Sequence, residues 1–256
     1  MTRRPLDWLI FVSIGLVAGL LSGLFGVGGG ILIVPALVLA ARFDPRLASG
    51  TSLAAIVPIS LIGVVSYAAT GNVDWAAALL LAIGAIVGAQ IGTHLLAILP
   101  RRAIQWGFIG FIAVVVVSLF LVIPSRDASV ELNLLSMGAL VLTGLVVGVL
   151  SGLLGIGGGA VIVPVLILLF GASDLVAKGT SLLVMVPTAI SGTFGNARRR
   201  NVDIGAAAVI GISACATTAL GAIAAAALSP LVANILFAAF LIAVGVQLVV
   251  RALKRN

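Results

Sequence analysis

The same glycine-rich segment occurs twice in this chain of 256 residues. Residues 19–35 read GLLSGLFGVGGGILIVP and residues 148–164 read GVLSGLLGIGGGAVIVP, so twelve of seventeen positions are identical at an offset of 129. The register continues without a gap to two further pairs of segments: 50–53 with 179–182 (Gly-Thr-Ser-Leu), and 72–74 with 201–203 (Asn-Val-Asp). Apolar composition alone would not align these polar positions. The chain therefore consists of two homologous halves, residues 1–125 and 126–256.

Each half contains five apolar segments. Hydrophobic residues make up 62% of the chain and charged residues 8%, whereas soluble domains carry roughly 25% charged residues. These values predict an all-α integral membrane protein with about ten transmembrane segments. A single membrane domain with no soluble domain excludes most enzyme classes and any pump with its own nucleotide-binding domain. The segments, of which the second in each half is short, are 8–25, 29–41, 48–69, 75–98, 103–123, 132–154, 158–170, 177–195, 204–228 and 231–250.

The distribution of Lys and Arg predicts how these segments cross the membrane. If all ten cross and the N-terminus is cytoplasmic, twelve basic residues lie inside and only Arg126 and Lys178 lie outside. If the short segments turn back instead, nine basic residues lie inside and five lie outside. Ten crossings therefore fit the excess of cytoplasmic Lys and Arg better. Five crossings per half orient the halves oppositely, and such inverted repeats are typical of secondary transporters. We expect a multi-pass inner (plasma) membrane protein with both termini cytoplasmic, and basic loops that need no nucleic-acid partner.

The titratable residues indicate little conventional site chemistry. All seven Asp and Glu residues map to loops or segment ends, so we expect no acid within the membrane that could couple transport to protons. The single cysteine, Cys215, excludes an internal disulfide or a cysteine metal cluster. The one histidine, His94, has Ile223 at the equivalent position, and we interpret it as structural rather than as a proton relay. We predict no metal, no cofactor and no catalytic residue.

Glycine and hydroxyl residues recur instead, at equivalent positions of both halves. A glycine run permits an unwound backbone that exposes amide N–H groups at the start of a short helix, and helix N-termini bind anions. The alternative is a tight hairpin without a ligand. The Gly-Thr-Ser segments begin the third apolar segments, where their hydroxyls could cap the helix or donate to an oxyanion. The candidate substrate-binding residues are Gly28, Gly29, Gly30, Thr51, Ser52, Gly157, Gly158, Gly159, Thr180, Ser181 and Lys178, of which Lys178 reads as an exposed loop lysine that could also attract anions.

These motifs resemble those of a known family. The duplicated Leu-Ser-Gly-Leu-Phe/Leu-Gly-Val/Ile-Gly-Gly-Gly…Val-Pro, followed in each half by Gly-Thr-Ser-Leu, is similar to the pattern of the sulfite exporter TauE/SafE family of membrane permeases. The resemblance covers essentially the full length. It implies an inner-membrane permease that exports small sulfur-containing anions, such as sulfite, sulfoacetate or other organosulfonates. The partners expected from it are a small anionic substrate and the lipid bilayer, and a homo-oligomer stays open.

Three other functions compete with this interpretation. The protein could be an anion channel, or a carrier for another small organic anion. It could be an intramembrane serine protease built on Ser22, Ser151 and His94, although the duplicated serines share only one histidine. It could also be a membrane scaffold that transports nothing.

Overall fold

Apolar α-helices joined by short turns account for nearly all of the chain that the structure describes, residues 5–121 and 133–254 of a computed structural model. No β-strand occurs within these two ranges. The predicted junction of the halves, between residues 125 and 126, lies outside them. In chain order the helices are α1 (Pro5–Phe25), α2 (Gly30–Leu39), α3 (Pro45–Ala68), α4 (Trp75–Ile98), α5 (Arg101–Leu121), α6 (Leu134–Leu154), α7 (Gly159–Phe170), α8 (Asp174–Arg198), α9 (Ile204–Ala227) and α10 (Pro230–Lys254).

Seven of these helices are long and apolar enough to cross a membrane: α1, α3, α4, α6, α8, α9 and the Leu231–Val250 part of α10. The all-helical membrane character predicted from composition is confirmed, whereas ten crossings stay a prediction. The helices α2 and α7 contain 10 and 12 residues. They rise about 15 and 18 Å, against a hydrocarbon core of about 30 Å. Neither can span a bilayer alone.

Aspartate side chains define where several of the long helices begin. The Asp74 carboxylate accepts a hydrogen bond from Ala77 N at the start of α4, and the equivalent Asp203 carboxylate accepts from Ala206 N at the start of α9. Asp44 caps α3 in the same way. A carboxylate here satisfies an N–H group that has no partner within the helix and faces the positive end of the helix dipole.

Two helix pairs, α1 with α9 and α4 with α6, form the closest contacts between the halves. Both pairs run parallel: Gly15 lies against Ile210, and Gly23 lies against Thr218 further along both helices. A β-carbon on Gly19 would collide with the Ala214 carbonyl, so only glycine allows the two backbones to approach this closely. The contact of α4 with α6 repeats this arrangement at an offset of 129 residues.

The helices α3 and α8 cross in opposite directions at the centre of the bundle. Gly192 near the end of α8 lies beside Leu53 near the start of α3, and Gly63 near the end of α3 lies beside Leu182 near the start of α8. Leu53 is equivalent to Leu182, and Gly63 is equivalent to Gly192. The two contacts are therefore the same leucine–glycine contact with the roles of α3 and α8 exchanged. The start of α3 therefore lies against the end of α8, and the start of α8 lies against the end of α3.

Candidate functional site

Two four-residue glycine turns interrupt the helices where the sequence repeats its glycine run. The first glycine turn, residues 26–29, joins α1 to α2, and the second, residues 155–158, joins α6 to α7. Gly29 and the equivalent Gly158 have φ angles of +74° and +87°, which a residue with a β-carbon rarely adopts. No side chain caps α2 or α7 at these positions. The first N–H groups of both short helices thus lie at an uncapped, buried end.

The two glycine turns are packed against each other. A β-carbon on Gly30 would lie 2.7 Å from Ile156 Cα, and one on Gly159 would lie 2.8 Å from Val27 Cα. The backbones of the two halves therefore meet at these turns, with room for hydrogen atoms only. The structure thus brings together the two glycine clusters that lie 129 positions apart in the sequence.

Two apolar side chains, Ile56 and Met185, fill the remaining space beside both turns. They occupy equivalent positions in α3 and α8 and are fully buried. A β-carbon on Gly157 would lie 2.6 Å from Met185 Cε and 3.0 Å from Ile56 Cδ1. Sequence reasoning missed both residues, because each lies within an apolar run and nothing but the repeat alignment distinguishes it.

The threonines of the Gly-Thr-Ser segments link the two halves. Thr51 Oγ1 accepts a hydrogen bond from Asp203 N at 3.0 Å, and Thr180 Oγ1 accepts from Asp74 N at 2.9 Å. Both side chains are fully buried. The expected capping of their own helix is wrong, because α3 begins at Pro45 and both threonines lie more than one turn inside their helices. Since a hydroxyl can donate one hydrogen bond while it accepts another, each threonine keeps a proton to donate.

The serine hydroxyls around the turns are less completely bonded. Ser181 Oγ donates to Gly26 O at 2.9 Å. Within the described part of the chain, the buried hydroxyls of Ser22, Ser52 and Ser151 have no hydrogen-bond partner. Ser22 and Ser151 lie one helical turn before the glycine turns, and their carbonyls accept from Gly26 N and Gly155 N. Buried hydroxyls usually have partners, so these three indicate a missing ligand or water.

Lys178 differs from its predicted setting. It lies inside α8, is 3% exposed, and its Nζ is 3.0 Å from both carboxylate oxygens of Asp174. Its Cα and Cβ pack against the Gly26 backbone at the first glycine turn. The description of Lys178 as an exposed loop lysine is therefore wrong.

Asp174 lies at a segment end as predicted, since it is the first residue of α8, but it is buried and only 2% exposed. The equivalent positions in the first half are Pro45 and Ser49, so the repeat gives no signal for this ion pair. The pairing of Asp174 with Lys178 at i and i+4 of one helix was the available sequence signal.

The residues considered for a serine protease are not arranged for that chemistry. His94 Nδ1 lies 3.4 Å from Arg199 Nη2, and neither Ser22 nor Ser151 bonds to an imidazole among the described residues. A serine nucleophile requires a base within hydrogen-bond distance. The arrangement gives the protease alternative no support.

The family described as "Sulfite exporter TauE/SafE" matches residues 1–119 and 140–256. The chain belongs to this family. A probable membrane transporter protein of Haemophilus influenzae is 31% identical over 259 residues, with 94% of this chain and 97% of that protein covered. The probable membrane transporter protein YunE of Bacillus subtilis is 31% identical over 211 residues, with 73% and 77% covered.

Membership of the TauE/SafE family makes the protein one of a group of membrane transporters. The names of these relatives give no substrate. A probable membrane transporter protein of Xylella fastidiosa is 42% identical over 83 residues, about a third of each chain. No solved structure matches the chain significantly.

Proposed function

We propose that the chain is a secondary transporter that exports small sulfur-containing anions, such as sulfite, sulfoacetate or other organosulfonates, by alternating access. The observation that carries this proposal is a group of buried serine hydroxyls beside two uncapped helix starts, which have no hydrogen-bond partner in the part of the chain that the structure describes. An oxyanion would accept hydrogen bonds from both kinds of donor. The TauE/SafE family supports the transport activity and its description supports the choice of anion.

The membrane arrangement that we propose consists of two oppositely oriented halves. The hairpins α1–α2 and α6–α7 enter from opposite faces and meet at their glycine turns near the midplane, so each short helix returns towards the face from which its hairpin entered. The antiparallel crossing of α3 and α8 supports opposite orientation, because equivalent helices of two halves in the same orientation would run parallel. In this arrangement the long helices run in the same directions as in the ten-crossing arrangement. The numbers of Lys and Arg residues on each side of the membrane are also the same. The termini are then cytoplasmic, in the inner (plasma) membrane.

In this arrangement the anion is bound by neutral donors from both halves, as in other inverted-repeat carriers with a site near the midplane. Each hydrogen bond to a charged group contributes about 1.5–3 kcal/mol. Several such bonds hold an anion without binding it too tightly for release. The proposed donors are the hydroxyls of Ser22 and Ser151 and the backbone and hydroxyl groups of Gly28, Gly29, Gly30, Thr51, Ser52, Gly157, Gly158, Gly159, Thr180 and Ser181.

Lys178 supplies the charged group of the proposed site. In the described state its ammonium pairs with Asp174 beside the first glycine turn. An entering anion would compete with the Asp174 carboxylate for this ammonium, and the carboxylate would recover it when the anion leaves. The ion pair keeps the lysine charge paired while no anion is bound.

Ile56 and Met185 would separate the site from both faces between transport events. Their side chains occupy the space between the glycine turns, so an anion reaches the turns only when one or both rotate away. Because the two residues are equivalent, one belongs to each half and can open towards its own side. We assign the described conformation to an occluded state.

Uptake into proteoliposomes tests the proposed function. We expect labelled sulfite and sulfoacetate to saturate, to compete with each other and to exchange by counterflow, and labelled sulfate and a simple carboxylate to compete weakly. A flux that rises linearly with anion concentration and shows no counterflow would indicate a channel. Absence of flux for all four anions, with and without a pH gradient, would contradict the proposal.

Removal of the threonine donors tests the proposed site. The double substitution Thr51→Val/Thr180→Val keeps side-chain volume and removes both hydroxyls, so we expect substrate affinity to fall by about a hundredfold, tenfold for each donor. The matched control is Thr218→Val, which removes a buried hydroxyl that bonds, among the described residues, to Ala214 O of its own helix. Unchanged affinity in a double variant that melts as the native protein does would show that these hydroxyls do not contact the anion.

Reporter fusions test the proposed orientation. A reporter that is active only in the cytoplasm should give signal when fused after Asn256 and when inserted in the 198–201 loop. A signal restricted to the other face at either position would overturn the inverted arrangement.

A further inference from the structure

A group of cationic and polar side chains lies where the end of α8 meets the end of α4 and the start of α3. Arg199 Nη1 donates to Gly195 O at 2.9 Å and lies 3.5 Å from Thr93 Oγ1, and its Nη2 is 3.4 Å from His94 Nδ1. None of these three partners carries a negative charge. They hold the guanidinium in place without neutralising it.

A second guanidinium, that of Arg46, lies on the adjoining face of α3. Arg46 Nη2 donates to Leu99 O at 2.8 Å, while its buried Nε has no partner among the described residues. Arg46 lies one helical turn before Gly50, so both lie on one face of α3. Gly50 packs against Asn196 Cβ near the end of α8. Arg46 therefore faces the end of the helix that carries Arg199.

Asn196 adds a buried acceptor to the same place. Its side chain is fully buried and its Nδ2 donates to Gly192 O at 3.0 Å, which directs Oδ1 away from that carbonyl. Within the described ranges, Oδ1 has no hydrogen-bond partner. A buried donor on Arg46 and a buried acceptor on Asn196 are both left open. A bound oxyanion would accept from Arg46 Nε, and a water molecule bound beside it would donate to Asn196 Oδ1.

The equivalent position at the opposite end of the bundle is a cavity. The residues equivalent to Arg46, Asn196, Arg199 and His94 are Leu175, Tyr67, Thr70 and Ile223. These four line one cavity of about 340 Å³, which we call the cavity end. At the other end of the bundle, the equivalent positions include two arginines and a histidine, Arg46, Arg199 and His94. We call this end the cationic end.

We propose that the cationic end is a binding site for a small oxyanion, through which the substrate reaches or leaves the central glycine turns. This role rests on the proposed function, but the binding itself does not. The chemistry is that of a sulfonate, sulfite or sulfate group held by Arg46 and Arg199, since a guanidinium offers two parallel N–H donors to such a group. With the termini cytoplasmic, the 198–200 loop and hence this site face the cytoplasm, the side from which an exporter collects its substrate.

Binding of sulfoacetate and sulfate to the purified full chain in zwitterionic detergent tests the site without requiring transport. We expect Arg46→Gln/Arg199→Gln to weaken binding by at least tenfold and Arg46→Lys/Arg199→Lys to restore part of it. The matched control is Arg198→Gln/Arg200→Gln, which removes the same charge nearby; the Arg198 guanidinium lies over the Phe194 ring. Equal loss in both double glutamine variants would mean that general surface charge is responsible, and it would overturn the proposal.

Transport kinetics separate the failure of this site from the failure of the proposed function. We expect Arg46→Gln/Arg199→Gln to raise KM at least tenfold with kcat changed less than twofold, because the central site is intact. Normal transport with an unchanged KM would overturn this site and leave the function standing. Binding that depends on the two arginines, without any flux, would support this site and contradict the proposed function.

A lipid phosphate could also occupy two arginines at a membrane surface. Repeating the binding in nanodiscs of phosphatidylcholine, with and without phosphatidylglycerol, distinguishes this source. We expect the anionic lipid to change sulfoacetate binding less than twofold. If phosphatidylglycerol abolishes the binding, and if its own retention depends on Arg46 and Arg199, the site belongs to a lipid headgroup.

Discussion

The cavity end and the cationic end have the same backbone arrangement and opposite chemistry. At the cavity end the Tyr67 hydroxyl donates to Gly23 O at 2.7 Å, and the charges of Asp174 and Lys178 are paired and buried. At the cationic end Arg46 and Arg199 are held by neutral groups. The bonds that the two ends share, from Thr51 and Thr180 to the other half, maintain the fold. The side chains that differ give the two ends different electrostatic character.

The largest expected effect comes from a side chain at the glycine turns. Gly29→Leu and Gly158→Leu should each abolish transport, because both positions have positive φ and a side chain there would collide with the preceding helix, at Ala18 in α1 and at Val147 in α6. Counterflow of labelled sulfoacetate at equal protein content measures the loss. Gly138→Leu is the matched control, since no atom lies within 4 Å of a β-carbon at that position of α6. Substantial counterflow in either turn variant would contradict a substrate path between the turns.

The buried ion pair should show the next effect, on stability. Asp174→Ala leaves the Lys178 ammonium buried beside the first glycine turn, and removal of one partner of a buried pair costs about 3–5 kcal/mol. Asp174→Ala/Lys178→Ala removes both charges and should cost clearly less. Thermal unfolding in detergent measures both variants. A double variant as unstable as the single one would show that packing, not charge, determines stability there.

The two threonine bonds provide the sharpest test of equivalence between the halves. Thr51→Val and Thr180→Val should each raise the substrate Kd about tenfold, which corresponds to about 1.4 kcal/mol. Their effects should agree within twofold, because the two hydroxyls have equivalent partners at 3.0 and 2.9 Å. Titration of each single variant measures this, with Thr218→Val as control. A large effect in one half only would place the anion closer to that half.

The smallest effect is expected at the cavity end. Tyr67→Phe removes the hydrogen bond to Gly23 O and should lower the free energy of unfolding by about 1 kcal/mol. Ser66→Ala, whose hydroxyl bonds within its own helix to Ile62 O, serves as control and should change it less. If Tyr67→Phe is as stable as the native protein, water replaces the hydroxyl in the cavity.

Sequence reasoning reached the parts of this structure that depend on local chemistry. Helix breaks follow from glycines, and the caps of α4 and α9 follow from Asp74 and Asp203, because neighbouring residues are sufficient to determine them. The partners of Thr51 and Thr180 are 152 and 106 positions away, and no local pattern identifies them. Asp174 and Lys178 show the same limit for burial, since a charged helix start reads as surface until the other half covers it.

The glycine contacts between α1 and α9 have a consequence for biosynthesis. Gly15 of α1 rests against Ile210 of α9, which is synthesised 195 residues later. At roughly 5–20 residues per second the interval is about 10–40 s. During that time α1 is already made, but the helix that its glycine face fits does not exist. The first half therefore cannot complete its packing until the ninth helix arrives, and a ribosome that stalls within the second half leaves the glycine face of α1 open to unintended partners.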